Sequence, residues 1–190
     1  VVKIGIIVEG FCERIILKSP AFLNFLQLNG LKITGDVVNL EGKGQLNTRR
    51  METQAQVLRD KGAEWIFVLR DKDNAPCFTS VKQEVYQATD VKICVAVNEI
   101  EAWFLADSET LSAIFRQHFH FKLPESERKP YERLKELFVK NQHYRIPDKK
   151  IFTSKMVNQG FTVERAAAHP NCPSARYFLQ KLTELQSKPA

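Results

Sequence analysis

Six carboxylates stand where apolar runs of the chain stop. "KIGIIV" runs to Glu9, with Glu13 one helical turn later; "FVLRDKD" closes on Asp71 and Asp73; "VKICVAVNEIE" runs into Glu99 and Glu101. A weaker run, "KITGDVVNL", ends at Glu41. Taken singly, an acid such as Glu13 or Glu101 is an ordinary first-turn residue that complements a helix dipole. As a set at one edge such acids repel, and cations must neutralise them. Clustered hard oxygens suit Mg2+ or Mn2+, which bind through a few carboxylates and keep waters for a substrate phosphate. Two ions so held stabilise both the attacking and the leaving oxygen of a phosphodiester displacement.

Other chemistries lack their residues. "EGKGQLN" has neither the GxxxxGK[ST] spacing of a phosphate loop nor the third glycine of a dinucleotide fingerprint. It is either a plain turn or a flexible loop that brings Lys43 to a phosphate. No GxSxG elbow is present. Cys12 lies between Glu9 and Glu13, where negative charge raises a thiol's pKa and makes it a poor nucleophile. Cys12, Cys77, Cys94 and Cys172 form no CxxC pair, which argues against a zinc ribbon and for reduced, structural thiols in a cytosolic chain. His118 and His120, two apart, lack the spacing of one helical metal-binding face.

The acids need a scaffold that brings strand ends together. "KIGIIV", "KITGDVVNL", "WIFVL" and "VKICVAV" are continuous apolar runs, as strands covered on both faces must be. Helical stretches separate them: "ERIILKSPAFLNFLQLNG", with Ser19-Pro20 as a cap and restart and Gly30 as a stop, then "TRRMETQAQVLRDKG" and "FTSVKQEVYQAT". This alternation predicts an α/β fold, Rossmann-like, with a mainly parallel sheet of about four strands flanked by helices. In such sheets ligands bind outside the carboxyl ends of the strands, where all these acids fall. After Asp107 the strand signals cease. "SETLSAIFRQHF", "YERLKELFVKNQ", "DKKIFTSKMVNQG" and "SARYFLQKLTELQ" read as helices. The expected organisation is an α/β core over 1–107 and a helical C-terminal annex over 108–190, packed as one unit.

A chain of 190 residues, 44% hydrophobic and 26% charged, has the composition of an ordinary globular protein. Glu9, Arg70 and Glu99 interrupt its most apolar stretches, so no membrane span is expected. The net charge of +6 is compatible with a polyanionic partner such as DNA or RNA, and equally with solvated helix faces.

The quoted residues also resemble a known family. A strand ending in Glu-Gly ("IIVEGFCE") followed later by one ending in Asp-x-Asp ("VLRDKD") resembles the Toprim domain of topoisomerases, primases and OLD-family nucleases. With "EGKGQL", "VNEIEAWFLAD" and "TSKMVNQGFTVERAAAHPNCPSARYFLQKL", most of the chain is similar to the Toprim-like DUF4276 group. The resemblance implies that Glu9 acts in acid/base chemistry or through a metal-bound water. It implies that Asp71 and Asp73 bind metal, with Glu13 as a ligand for a second ion and Glu99 or Glu101 completing the site. It implies that Lys155, in "FTSKM", stabilises transition-state charge. Lys43 and Arg70 are the basic candidates for the nucleic-acid backbone, although Arg70 can instead pair with and blunt one carboxylate. Trp103 and Asp107 read as structural. The implied activity is a Mg2+-dependent nuclease of phage-defence or mobile-element systems, often working with a separate ATPase. The alternatives are a catalytically silent module that binds nucleic acid or that ATPase, and a small-nucleotide hydrolase on a similar acidic edge.

Overall fold

In the computed structural model, which describes residues 1–42, 45–46, 49–143 and 145–187, the apolar runs form one parallel sheet. Its strands are β1 (Val2–Val8), β2 (Leu31–Ile33), β3 (Val38–Asn39), β4 (Trp65–Asp71) and β5 (Val91–Ala96). β4 lies between β1 and β5, and β2 and β3 share the other side of β1. The sheet thus has five strands where about four are expected. The run "KITGDVVNL" breaks in two because Gly35 adopts φ +75° and the Asp36 carboxylate accepts the Val37 N–H, forming a turn. Arg14 reaches across to Asp36 at 2.6 Å and pins that turn.

Helices cover both faces. α1 (Phe11–Leu17), α2 (Pro20–Leu28) and α5 (Glu101–Ala106) lie on one face; α3 (Arg49–Asp60) and α4 (Phe78–Gln83) lie on the other. The local signals act as expected: Ser19 Oγ accepts the Phe22 N–H at the start of α2, and Gly30 closes it with φ +57°. α4 is shorter than the helix expected from "FTSVKQEVYQAT". The strand alternation splits the core. Ile4, Ile6, Val8, Phe67 and Leu69 face α1 and α5, whereas Ile7, Ile66 and Val68 face α3.

The annex comprises α6 (Ser108–Phe115), α7 (Pro130–Gln142), α8 (Lys149–Asn158), α9 (Val163–Ala168) and α10 (Pro173–Thr183). It has no core of its own: Phe138, Phe152, Phe161 and Phe178 join the cluster built on Ile4, Ile6 and Phe67. Trp103, fully buried, donates from Nε1 to Ser174 Oγ at 2.8 Å and packs on Phe178. The six-residue α9 escapes sequence reading because its signal, Thr162 capping the Arg165 N–H, precedes too short a periodic run. Among the described residues no helix is long and apolar enough to cross a membrane.

Candidate active site

The carboxyl ends of β1, β3 and β4 open into a cleft of about 430 Å3. Each acid reaches it by a definable route. Glu9 is the first residue beyond β1. Leu40 donates to the Val8 carbonyl and Gly42 to that of Glu9, so Glu41 is carried alongside it. In β4, Phe67 and Leu69 face α1 and α5, and alternation sends Asp71 the same way. Asp71 Oδ1 accepts the Ile100 N–H at 2.8 Å, which holds the start of α5 and Glu101 against the strand end. Glu13 comes from the first turn of α1. Gly10 permits its approach, because a Cβ there would stand 3.0 Å from Glu13 Oε2.

Glu13 and Glu101 are 4% and 1% exposed, extreme values for carboxylates. Burial pushes Glu13 up to about 7; Glu101 and Glu9 add to the shift, while its own backbone N–H and Lys149 oppose it. Burial likewise raises Asp71, reinforced by Glu13, Glu101, Asp73 and Glu9. Burial raises Glu101 as well, with Glu99 adding and Lys149 opposing. Burial together with neighbouring acids thus disfavours the ionised forms of all three, the kind of perturbation that functional clefts impose on their carboxylates. Cys12, beside them, is pushed up to about 12 by burial and then by Glu101, which leaves it an inert thiol.

The cation that meets these acids is Lys149, at the start of α8. Its Nζ lies 3.2 Å from Glu99 Oε2 and 3.3 Å from Glu101 Oε2. Burial works against the ammonium, but Glu101 and Glu99 outweigh it and raise its pKa. Glu101 Oε1 stays buried without a hydrogen-bond partner among the described residues. Such an orphaned hard oxygen, in a set made wholly of carboxylates, fits a divalent cation in kind. The arrangement is nonetheless open: among the described residues, no three carboxylate, imidazole or thiol groups are gathered closely enough to hold an ion.

The expected site residues therefore separate. Glu9, Glu13, Asp71 and Glu101 line the cleft, and so does Glu41. Asp73 and Glu99 lie just outside its lining. Asp73 sits in the left-handed region (φ 48°) with its N–H on the Asn98 carbonyl, and Glu99 pairs with Lys149. Arg70 is not a nucleic-acid contact. Alternation turns it to the opposite face from Asp71, where it is 3% exposed. There it pairs with Glu84 at 3.3 Å and brings Nε to 3.7 Å from Glu9 Oε2, the blunting partner rather than a surface cation. Lys155 does not line the cleft either; its Nζ lies 5.7 Å from the Phe138 ring centroid. Six residues along a helix are about 9 Å of rise and about 240° of rotation, so Lys149 and Lys155 address different surroundings. Lys149 carried no motif of its own, and only the docking of α8 against α1 brings it to the acids. Lys43 lies outside the described residues.

Comparisons of the chain with protein-family models, with curated proteins and with solved structures find no match. What the cleft can do rests on its own residues.

The raised acid gives a pH prediction with a definite sign. In the fold Glu13 holds its proton up to about pH 7, against an ordinary value of 4.5. The folded state binds the extra proton in that window, so stability falls as pH rises through it and the full cost stands above it. Without divalent cations, Glu13→Gln is expected to stabilise the protein by roughly 2–3 kcal/mol at about pH 8 and by nothing at about pH 4. Urea melts at the two pH values measure it. An equal effect at both would assign the change to packing, not charge.

Proposed function

We propose that the cleft hydrolyses phosphodiester bonds in nucleic acid with the help of a divalent cation, Mg2+ or Mn2+. One observation carries this reading: Glu13, Asp71 and Glu101, delivered by three separate elements, line one cleft, where burial raises all three, Glu101 adds to the shift of Glu13, and both add to that of Asp71. The resemblance of "IIVEGFCE" and "VLRDKD" to Toprim motifs supports the same chemistry.

Glu13, Asp71 and Glu101 would hold the cation by drawing together around it, since they stand too far apart here to bind as a set, with Asp73 and Glu99 at the margin. When bound, the cation supplies neutralising charge and polarises a phosphate oxygen. Glu9 would accept the proton of a water that attacks phosphorus, with the Arg70 guanidinium 3.7 Å from its carboxylate. Lys149, whose raised pKa keeps it charged, steadies negative charge on the phosphate once it is released from the acids. Lys150, exposed on the same helix, extends the positive rim.

The test is cleavage of DNA, RNA and tRNA by the purified protein with Mg2+ or Mn2+, against EDTA and against Asp71→Ala. Cation-dependent cleavage that disappears in the variant is expected. Cleavage that survives the substitution would assign the activity to another site or another protein. The rival, a binding module without catalysis, draws on Lys149, whose ion pairs already neutralise Glu99 and part of Glu101. Calorimetry with Mn2+ separates the two, because the rival requires no binding at millimolar concentration.

A further inference from the structure

Besides its acids and lysines the cleft is lined by Gly10, Cys12, Gly42, Ile100 and, at its lip, Phe11. Phe11 is the sole aromatic among the described residues that line the cleft, and it is 43% exposed. A lone exposed phenylalanine needs no explanation. This one opens α1 two residues after Glu9, and a cation from another element covers it: Lys150 Nζ lies 4.9 Å from its ring centroid. Lys149 and Lys150 are consecutive at the start of α8, so their side chains diverge by about 100° around the helix. One turns inward to Glu99 and Glu101; the other turns outward onto Phe11. Tyr131 completes the pattern behind Lys149, whose Nζ is 5.2 Å from that ring's centroid, and its N–H reaches Glu99 Oε2 at 3.4 Å.

Resting on the hydrolase reading above, we infer that Phe11 is a base-stacking platform and that the cleft takes single-stranded nucleic acid, with one unstacked base held on the Phe11 ring beside the reacting phosphate. An aromatic ring has an attractive face for every base, and Lys150 now occupies that face as a cation–π partner. An incoming strand supplies both replacements at once. Its phosphate draws off the Lys150 ammonium, and its base covers the ring the lysine leaves. A duplex supplies only the first, because its bases are stacked on one another and present no free face at a lip. Discrimination between single and double strands thus falls to Phe11, while Lys149 and Lys150 act on both alike through the backbone charge.

The test is binding without turnover. Fluorescence anisotropy in EDTA would follow a labelled oligothymidylate of about 15 nucleotides and a hairpin duplex of matching length. The wild type is expected to prefer the single strand. Phe11→Leu, which keeps apolar bulk but not the ring, should weaken single-strand binding about 10-fold and leave the duplex within about 2-fold. Phe11→Tyr keeps the ring and should bind like the wild type, which also guards against a variant that merely folds badly. Phe11→Leu that binds the single strand as well as the wild type, or loses both probes equally, overturns the platform and leaves the hydrolase reading standing. A wild type that binds neither probe, in EDTA or with Ca2+ in its place, overturns the platform, whereas the hydrolase reading stands or falls on the cleavage assay.

Discussion

Asp71→Asn is expected to lower cation-dependent cleavage by about a thousand-fold while leaving the protein as stable as the wild type or more so. The activity loss follows from the site: with Asn at 71 a divalent cation loses the one ligand that β4 brings to Glu13 and Glu101. Several kcal/mol of transition-state stabilisation, at about 1.4 kcal/mol per decade, is about three decades of rate. The stability gain follows from the electrostatics. Asp71 is raised by burial and by four neighbouring acids, so its ionised form costs the fold at neutral pH. Asn keeps an oxygen for the Ile100 N–H, now accepted by Asp71 Oδ1 at 2.8 Å, and therefore keeps the anchor of α5. Opposite signs on rate and stability are the mark of a group retained for function against the interest of the fold. Single-turnover cleavage and thermal melts in EDTA at about pH 8 read the two effects. A variant that cleaves normally removes Asp71 from the chemistry, and one that melts well below the wild type shows its carboxylate to be a structural anchor.

Much of this site is legible in the sequence because strand ends in a parallel sheet share one edge, and Glu9, Asp71 and Glu101 are marked by the apolar runs that stop before them. What stays hidden depends on faces and docking. The run "WIFVL" is apolar throughout, so nothing in it tells which way the following Arg70 and Asp71 point. Only the packing of Phe67 and Leu69 against one layer, and of Ile66 and Val68 against the other, sets Asp71 toward Glu13 and Arg70 toward Glu84. The choice between Lys149 and Lys155 is of the same kind. Both are lysines of one helix, and the face of α8 that meets α1 is decided by Phe152 and Met156 in the shared core. The sequence leaves Glu13 open for a related reason: one turn beyond Glu9 a side chain can meet solvent or the cleft, and the bare Gly10 backbone lets it fold inward. The split of the second strand at Gly35-Asp36 is written locally, but only as a turn signal inside an otherwise extended run.

The annex brings Lys149 to the cleft, so its attachment to the sheet domain matters to function, and Asp107 is where that attachment is most concentrated. Asp107 is 0% exposed. Oδ1 accepts the Thr110 N–H and Arg165 Nε, each at 3.0 Å; Oδ2 accepts Thr110 Oγ1 at 2.8 Å and the Thr162 N–H at 3.3 Å. One residue thus ends α5 through its backbone N–H, while its carboxylate caps α6 and ties down the loop that starts α9. Asp107→Ala removes a helix cap and strands the partners of four hydrogen bonds, including a guanidinium that is two-thirds enclosed. The expected loss is about 3–5 kcal/mol, a large share of the roughly 5–15 kcal/mol that holds a domain of this kind together. Arg165→Met should cost nearly as much, because it leaves Asp107 as a buried charge without its cation. The double variant should cost less than the two losses added, since neither partner is then left exposed to the other's absence. Urea melts of the four proteins close the cycle. A coupling below about 0.5 kcal/mol would mean that Asp107 caps α6 alone and that the annex is held by its phenylalanines. A coupling of about 1–3 kcal/mol makes this buried pair the joint on which Lys149's placement depends.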